Sequence, residues 1–271
     1  MNRTLNVVRM QLVNKATYIW VPLLILAGSF LLSLAIFALI PTDAVKVSGG
    51  TMAPLWYFLA VGVQALTFSF PFSQAMSVTR REFFFGTFLT AAVTSAILAL
   101  IFMVGGFIEL ATGGWGMNGW FFYLDWVWAA GPLVAVLLYF VIAMLFFSIG
   151  FWAATLYKRF GTFWLTATLV GIGALLVAAM WLIGLADAWL EVFTWFAQIG
   201  AAGLTVGAIA LIAVLALLGH KIDRLNAVSF RLRHVFGIIP QVEQPAVDLW
   251  MERLHATVHH LGEACIIGNL N

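Results

Sequence analysis

The chain has 271 residues, of which 63% are hydrophobic and only 9% are charged, and its formal net charge is +2. An ordinary soluble domain is about half apolar and about a quarter charged, so this composition excludes that class and favours a chain dissolved in lipid. The small net charge, without a basic aromatic stripe, argues against nucleic acid as a partner. The single cysteine, Cys265, excludes an intrachain disulfide.

The chain opens with a segment that alternates apolar and basic residues, MNRTLNVVRMQLVNKAT. Leu5, Val8, Leu12 and Val13 fall at helical spacing, with basic residues between them. This pattern is typical of an amphipathic helix that lies flat at the membrane surface. Residues 1–17 are therefore predicted to form an amphipathic interface helix.

Six strongly hydrophobic runs follow, and each approaches or exceeds the roughly 18–20 residues that a helix needs to cross a bilayer. They are Tyr18–Ile40, Ala53–Phe70, Phe84–Phe107, Pro132–Leu156, Phe163–Ala186 and Gly200–Leu218. The first run is longer than the roughly 7–15 apolar residues of a secretory signal. The sequence thus predicts an all-α, polytopic membrane protein with a six-helix transmembrane domain over residues 18–219 and a tail over residues 220–271.

The basic residues predict how the chain is threaded, because positively charged flanks resist translocation. Twelve of the 13 basic residues precede the first run, separate the second from the third or the fourth from the fifth, or follow the sixth. They are Arg3, Arg9, Lys15, Arg80, Arg81, Lys158, Arg159, Lys221, Arg224, Arg231, Arg233 and Arg253. Only Lys46 falls on the other side. We therefore expect both termini in the cytoplasm and the protein in the cell's inner (plasma) membrane.

The loops on the opposite side contain the acidic residues and many tryptophans. Residues 109–131 include Glu109, Asp125, Trp115, Trp120, Trp126 and Trp128. Tryptophan favours the headgroup level of a membrane, so these rings are interpreted as an aromatic belt or, alternatively, as a gate or substrate lip. The segment DAWLEVFTWF, between the fifth and sixth runs, could form a short half-inserted helix.

The predicted membrane interior contains no ionisable residue in the middle of any run, which argues against proton relays and voltage sensors. Its polar side chains are amides and hydroxyls, including Gln64, Thr90 and Thr94. Such groups either hydrogen-bond a neighbouring helix or their own backbone. Gln64 is interpreted either as an interhelical contact or as a residue lining a transport pathway.

The sequence contains no motif that carries enzymatic chemistry. It has no GxxxxGK[ST] phosphate loop, HExxH, CxxC or GxSxG motif, so we expect no catalytic residues, bound cofactor or metal and no enzymatic activity of the chain itself. In the tail, an amphipathic helix is predicted over residues 247–261. Its His255, His259 and His260 are interpreted as a solvated polar face or, alternatively, as a metal-chelating pair without an obvious third ligand.

The stretch FPFSQAMSVTRREFFFGTFL places charged residues between the second and third runs. A loop is predicted to begin near Pro71 and to contain Thr79, Arg80, Arg81 and Glu82, with Phe83 directly after them. The two arginines either keep a hairpin in the cytoplasm or steer a short helix into a partner protein, with the phenylalanines as anchors.

These features together resemble a permease subunit of the ABC-2 type of ATP-binding-cassette transporter, and FPFSQAMSVTRREFFFGT is similar to the corresponding segment of small bacterial permeases. The resemblance implies that the loop at Thr79–Phe83 is a coupling helix that sits in a cleft of a separate ATPase subunit. It also implies a homodimer or heterodimer with a second permease, and a short re-entrant helix before the last span.

The sequence therefore predicts a permease subunit that exports an amphipathic or hydrophobic substrate with ATP hydrolysed by a partner, surrounded by membrane lipid. The alternative is a non-transporting membrane adaptor or sensor that acts through its C-terminal tail. An intramembrane enzyme acting on lipids lacks any catalytic constellation.

Overall fold

A computed structural model describes residues 3–41, 44–75 and 78–235, with side chains over 5–41, 44–73 and 78–216. The predicted tail helix over residues 247–261, its three histidines and Cys265 lie outside the described residues. The chain divides into two compact units, Met1–Leu217 and Leu218–Asn271.

Nearly all described residues are helical. The elements in chain order are α1 (Arg3–Val13), a π-helical segment (Ala16–Trp20), α2 (Val21–Leu39), β1 (Lys46–Val47), α3 (Met52–Gln64), a second π-helical segment (Ala65–Ser69), α4 (Phe70–Ala75), α5 (Arg80–Ala111), a third π-helical segment (Gly114–Asn118), β2 (Gly119–Trp120), α6 (Asp125–Trp128), α7 (Pro132–Leu185) and α8 (Trp189–Val235). The strands form one short parallel pair, with Lys46 opposite Gly119.

Five helical stretches within the described residues are long and apolar enough to cross a membrane. They are Ala16–Leu39, Met52–Ser73, Arg80–Ala111, Pro132–Leu185 and Trp189–Ala216. The prediction of an all-α membrane protein with several spans is confirmed at this level. The runs predicted as the fourth and fifth spans form the single element α7, of 54 residues, whose helical geometry is interrupted at Gly161 (φ 81°, ψ −178°). A second interruption, at Gly200 (φ 60°), separates residues 189–199 from the rest of α8.

Helices α3 and α7 form the closest packing in the bundle. A Cβ atom at Gly62 of α3 would collide with the carbonyl oxygen of Phe147, and one at Gly150 of α7 would collide with that of Leu59. Each glycine thus lets the opposite backbone approach, as small residues do in membrane helix pairs. The two helices are therefore held together by reciprocal backbone contact.

Helix α1 packs against α5, and the interface role predicted for residues 1–17 stays a prediction. Val7 and Gln11 are buried, and the Gln11 Nε2 atom donates a hydrogen bond of 2.8 Å to the Thr87 hydroxyl. Leu5 and Val13, which belong to the predicted apolar stripe, are 55% and 77% exposed. The protein contact therefore combines this polar pair with Val7 and Leu12, while the two ends of the apolar stripe stay exposed.

The chain beyond Gly161 contributes little to the core. Among residues 162–216, only Ala201 and Thr205 are buried, although this part is strongly apolar. Large side chains such as Trp181 and Leu190 are 66% and 75% exposed. These helices therefore leave a wide apolar surface uncovered by the described part of the chain.

Candidate functional site

The turn between α4 and α5 is fixed by a reciprocal cap. Thr79 is the N-cap of α5, and its hydroxyl oxygen accepts a 3.3 Å hydrogen bond from the backbone N–H of Glu82. In return, the Glu82 Oε2 atom accepts bonds from the Thr79 backbone N–H (3.0 Å) and hydroxyl (2.8 Å). The sequence Thr-Arg-Arg-Glu is the capping-box pattern, which satisfies donors that a helix start would otherwise leave unpaired. This turn therefore has a defined geometry.

The structure corrects the position of the predicted coupling loop. The chain stays helical through Pro71 to Ala75, and Pro71 is the second residue of α4, which directly continues the π-helical segment Ala65–Ser69. Arg80, Arg81, Glu82 and Phe83 form the first turn of α5 instead of a loop. The connection between the two helices is consequently much shorter than the sequence predicts.

The structure buries Phe83, one of the phenylalanines expected to anchor a partner, inside this chain. Its ring is 2% exposed and packs edge-on against Phe70, with centroids 5.1 Å apart. Arg80 and Arg81 are exposed, and the Arg81 guanidinium lies 5.7 Å from the centroid of the half-exposed Phe85 ring. The first turn of α5 thus uses Phe83 to hold itself in the core and presents two arginines outward.

Lys158 supports the segment that leads into this turn, a role that the sequence analysis missed. Its Nζ atom donates a 2.7 Å hydrogen bond to the carbonyl oxygen of Leu66 and lies 3.5 Å from that of Thr67. The same ammonium lies 5.7 Å from the centroid of the Phe70 ring. Leu66 and Thr67 belong to the π-helical segment Ala65–Ser69, a geometry that disturbs the regular pairing of helix carbonyls. Lys158 therefore satisfies backbone acceptors at an irregular point of another helix.

The polar residues of the predicted membrane interior are used locally. The Thr90 hydroxyl donates to the carbonyl of Gly86 (2.9 Å), and that of Thr94 donates to the carbonyl of Thr90 (3.0 Å). Both therefore bond their own helix, one of the two expected uses. Gln64 is half-buried at the last residue of α3, and its role as a pathway residue or an interhelical contact stays a prediction.

The opposite end of the bundle contains a buried carboxylate that sequence reasoning placed in a loop. Glu109 lies in the last turn of α5 and is 0% exposed. Its Oε1 atom accepts hydrogen bonds from the Trp115 indole N–H (2.6 Å) and the Phe121 backbone N–H (2.7 Å). Its Oε2 atom accepts from the backbone N–H groups of Phe122 (2.7 Å) and Tyr123 (2.6 Å). Four short bonds to two oxygens match the acceptor-only form of a carboxylate.

The loop after Glu109 folds onto this carboxylate, and we call residues 109–131 the Glu109 cap. Gly105 and Gly106 make room for it, because a Cβ atom at either position would overlap the ring of Phe122 or Trp128. The Trp115 ring packs edge-on against Phe30 of α2 at 5.0 Å. The cap is therefore packed against both α2 and α5.

The tryptophans of this cap have divided environments. Trp128 is 8% exposed and belongs to the packed core, whereas Trp126 is 50% exposed. Trp115 is half-buried because its N–H serves Glu109. Among these three, only Trp126 has the exposure that an aromatic belt requires. The belt and gate interpretations both stay predictions.

The described residues include no group of three or more histidine, cysteine, aspartate or glutamate side chains able to hold a metal ion. Glu109 directs both oxygens to protein donors, so its site is a structural centre and not a ligand site. The candidate functional feature is therefore the arginine turn at the start of α5, and the Glu109 cap at the end of that helix is structural.

Comparisons with protein-family models, curated proteins and solved structures gave no match to this chain. The resemblance to ABC-2 permeases thus depends on the residues of the 70–87 segment and on the helix pattern.

Proposed function

We propose that the chain is the permease subunit of an ATP-binding-cassette exporter and that the arginine turn, Thr79–Glu82, is its contact with a separate ATPase subunit. The observation that carries this proposal is the exposure of Arg80 and Arg81 on a turn fixed by the capping box and by the buried Phe83. A rigid, outward-facing turn can transmit a push to the long helix that it begins. Within this turn, only Arg80 and Arg81 are proposed to contact the partner.

Helix electrostatics supports a functional reason for these arginines. The N-terminus of a helix carries a partial positive charge, so a cation in the first turn is unfavourable by about 0.3–1 kcal/mol. Glu82, in the same turn, offsets part of this cost. Two arginines at a position that disfavours them are explained by an interaction outside the helix, with an acidic partner surface or with the inner side of the membrane.

The proposed topology has six spans, with both termini in the cytoplasm. The stretches 132–160 and 162–185 on either side of Gly161 are each longer than the roughly 20 residues needed to span a bilayer. Lys158 and Arg159 directly precede the break, where a cytoplasmic turn would place them. The exposed helix α1 residues Leu5 and Val13 would then contact lipid at the membrane surface.

The uncovered apolar surface beyond Gly161 supports contact with lipid and with a second permease, identical or not. Gly171, Gly173 and Gly207 face open space, where a neighbouring helix could approach closely. The cargo is proposed to be amphipathic or hydrophobic because the spans offer hardly any charge. The same lack of charge means that energy must come from the partner ATPase.

The test is charge reversal at the arginine turn. The double variant R80E/R81E is compared with R9E/K15E, which reverses two other exposed cations of the same predicted side. Each full-length protein is purified from membranes with its bound proteins, which are identified by mass spectrometry, and ATP hydrolysis is measured. We expect the wild type and R9E/K15E to retain a Walker-motif ATPase, and R80E/R81E to insert normally but lose it or its stimulation.

Normal recovery and stimulation of the ATPase with R80E/R81E would remove the coupling role. Absence of any ATPase from the wild-type preparation would remove the permease proposal itself. Deletion of the chain after His220 separates the alternative, since an adaptor acting through its tail would lose function and a permease would largely keep it.

A further inference from the structure

We infer that Lys158 is a positioning residue. It connects the part of α7 that precedes the break at Gly161 to the segment that leads into the arginine turn. Transmission of movement along this connection rests on the proposed function, whereas the connection itself does not. Membrane topology alone would explain this lysine by its positive charge. The connection gives it a mechanical role as well.

The connection is a continuous series of contacts. Lys158 donates to the Leu66 carbonyl at 2.7 Å, and its ammonium lies beside the Phe70 ring. Phe70 in turn packs edge-on against Phe83, the buried residue in the first turn of α5. A displacement of the arginine turn can therefore reach α7 through Phe70 and Lys158, beside the direct ring contact of Phe84 with Phe151 of α7.

The bonded segment needs such support. Residues 65–69 form a π-helical segment between the regular helices α3 and α4. Before this segment, Gly62 and Gly150 hold α3 against α7 by direct backbone contact. Lys158 extends the same helix pairing by roughly two turns, past the point where α3 loses regular geometry. Without it, the contact of residues 65–69 with α7 would lose its charged hydrogen bond.

The connection lies next to the break in α7 at Gly161. Its φ of +81° and extended ψ interrupt α7 three positions after Lys158, and backbone breaks of this kind serve as hinges between rigid parts. Lys158 therefore makes its contacts from the last helical turn before the break at Gly161. A movement of the arginine turn would be delivered to the point from which residues 162–185 depart.

The test measures backbone hydrogen exchange in the full-length protein, reconstituted in lipid nanodiscs. K158M removes the donor and keeps a long apolar side chain, whereas K158R keeps a charged donor. K15M removes one exposed cation elsewhere and serves as the charge-matched control. Because this hydrogen bond contributes to local stability although Lys158 is exposed, we expect amides of residues 67–75 to exchange about two- to tenfold faster in K158M. K158R should restore most of the protection, and K15M should match the wild type.

Equal exchange of this segment in K158M and K15M would overturn the connection, as would failure of K158R to restore protection that K158M loses. With the co-purified ATPase, we expect K158M to retain the ATPase but to stimulate its ATP hydrolysis less than the wild type does. Stimulation equal to that of the wild type would overturn transmission through Lys158. If wild-type protein recovers no ATPase, the proposed function fails, and the exchange measurement still decides whether the connection exists.

Discussion

Replacement of Glu109 by glutamine changes the buried centre of the Glu109 cap with almost no change of shape. The carboxylate accepts two hydrogen bonds at each oxygen, all from N–H donors. A glutamine amide has one oxygen and one NH2 group. In either orientation, the two N–H donors that met the replaced oxygen would face the NH2 group, which is itself a donor. A buried donor left unpaired costs about 1–3 kcal/mol. The variant should therefore lose about 2–6 kcal/mol of stability.

The assay is thermal unfolding of the purified full-length protein in detergent, followed by tryptophan fluorescence. The control is E191Q, because Glu191 is exposed at the start of α8 and loses the same charge. At roughly 2–4 °C per kcal/mol for a large single domain, E109Q should melt about 4 °C or more below E191Q. Melting temperatures equal to within about 1 °C would refute the conclusion that this carboxylate holds the cap.

Two packing contacts make further predictions in the same melting assay. G62A should destabilise the protein by roughly 1–3 kcal/mol or more, since its new Cβ would meet the Phe147 backbone. G28A, at an exposed position inside α2 with open space around it, should be neutral or up to about 1 kcal/mol stabilising; equal effects would contradict the close helix approach. T87V should cost about 1–3 kcal/mol by leaving the buried Gln11 amide without its partner. Q11M/T87V should recover most of that loss, and a double variant worse than T87V would contradict the α1 contact.

The positions of the membrane helices could be predicted because lipid imposes a simple requirement on sequence. Runs of about 20 apolar residues have few alternatives to a spanning helix, and the described helices cover every predicted run up to residue 216. Predicted boundaries were less accurate. The run ending at Phe70 continues as helix to Ala75, although Pro71 suggests a loop there.

The burial of Glu109 could not be deduced from composition, because its four donors come from residues that fold back from six to fourteen positions later. One signal did exist. Glu109 continues the buried face of α5 that includes Ser95, Phe102 and Gly105, at the three- to four-residue spacing of one helix side. A carboxylate on such a face is expected either to be buried with partners or to end the helix.

The roles of Phe83 and Lys158 depend on contacts between distant segments. Phe83 sits on the same buried face of α5, so helical spacing could have separated it from the exposed Arg80 and Arg81. The bond from Lys158 to Leu66 joins residues 92 positions apart and requires a π-helical segment that no pattern in the sequence indicates. Long-range pairing of this kind was therefore beyond sequence reasoning.

Determining the side of the membrane on which the arginine turn lies tests the proposed ATPase contact most directly. Single cysteines are introduced as R81C and W126C in a C265S background, and intact cells are treated with a maleimide that cannot cross membranes. Both native side chains are exposed, so each cysteine should react wherever the reagent reaches it. We expect W126C to react in intact cells and R81C only after lysis. Labelling of R81C in intact cells would place the arginine turn outside and contradict its contact with a cytoplasmic ATPase.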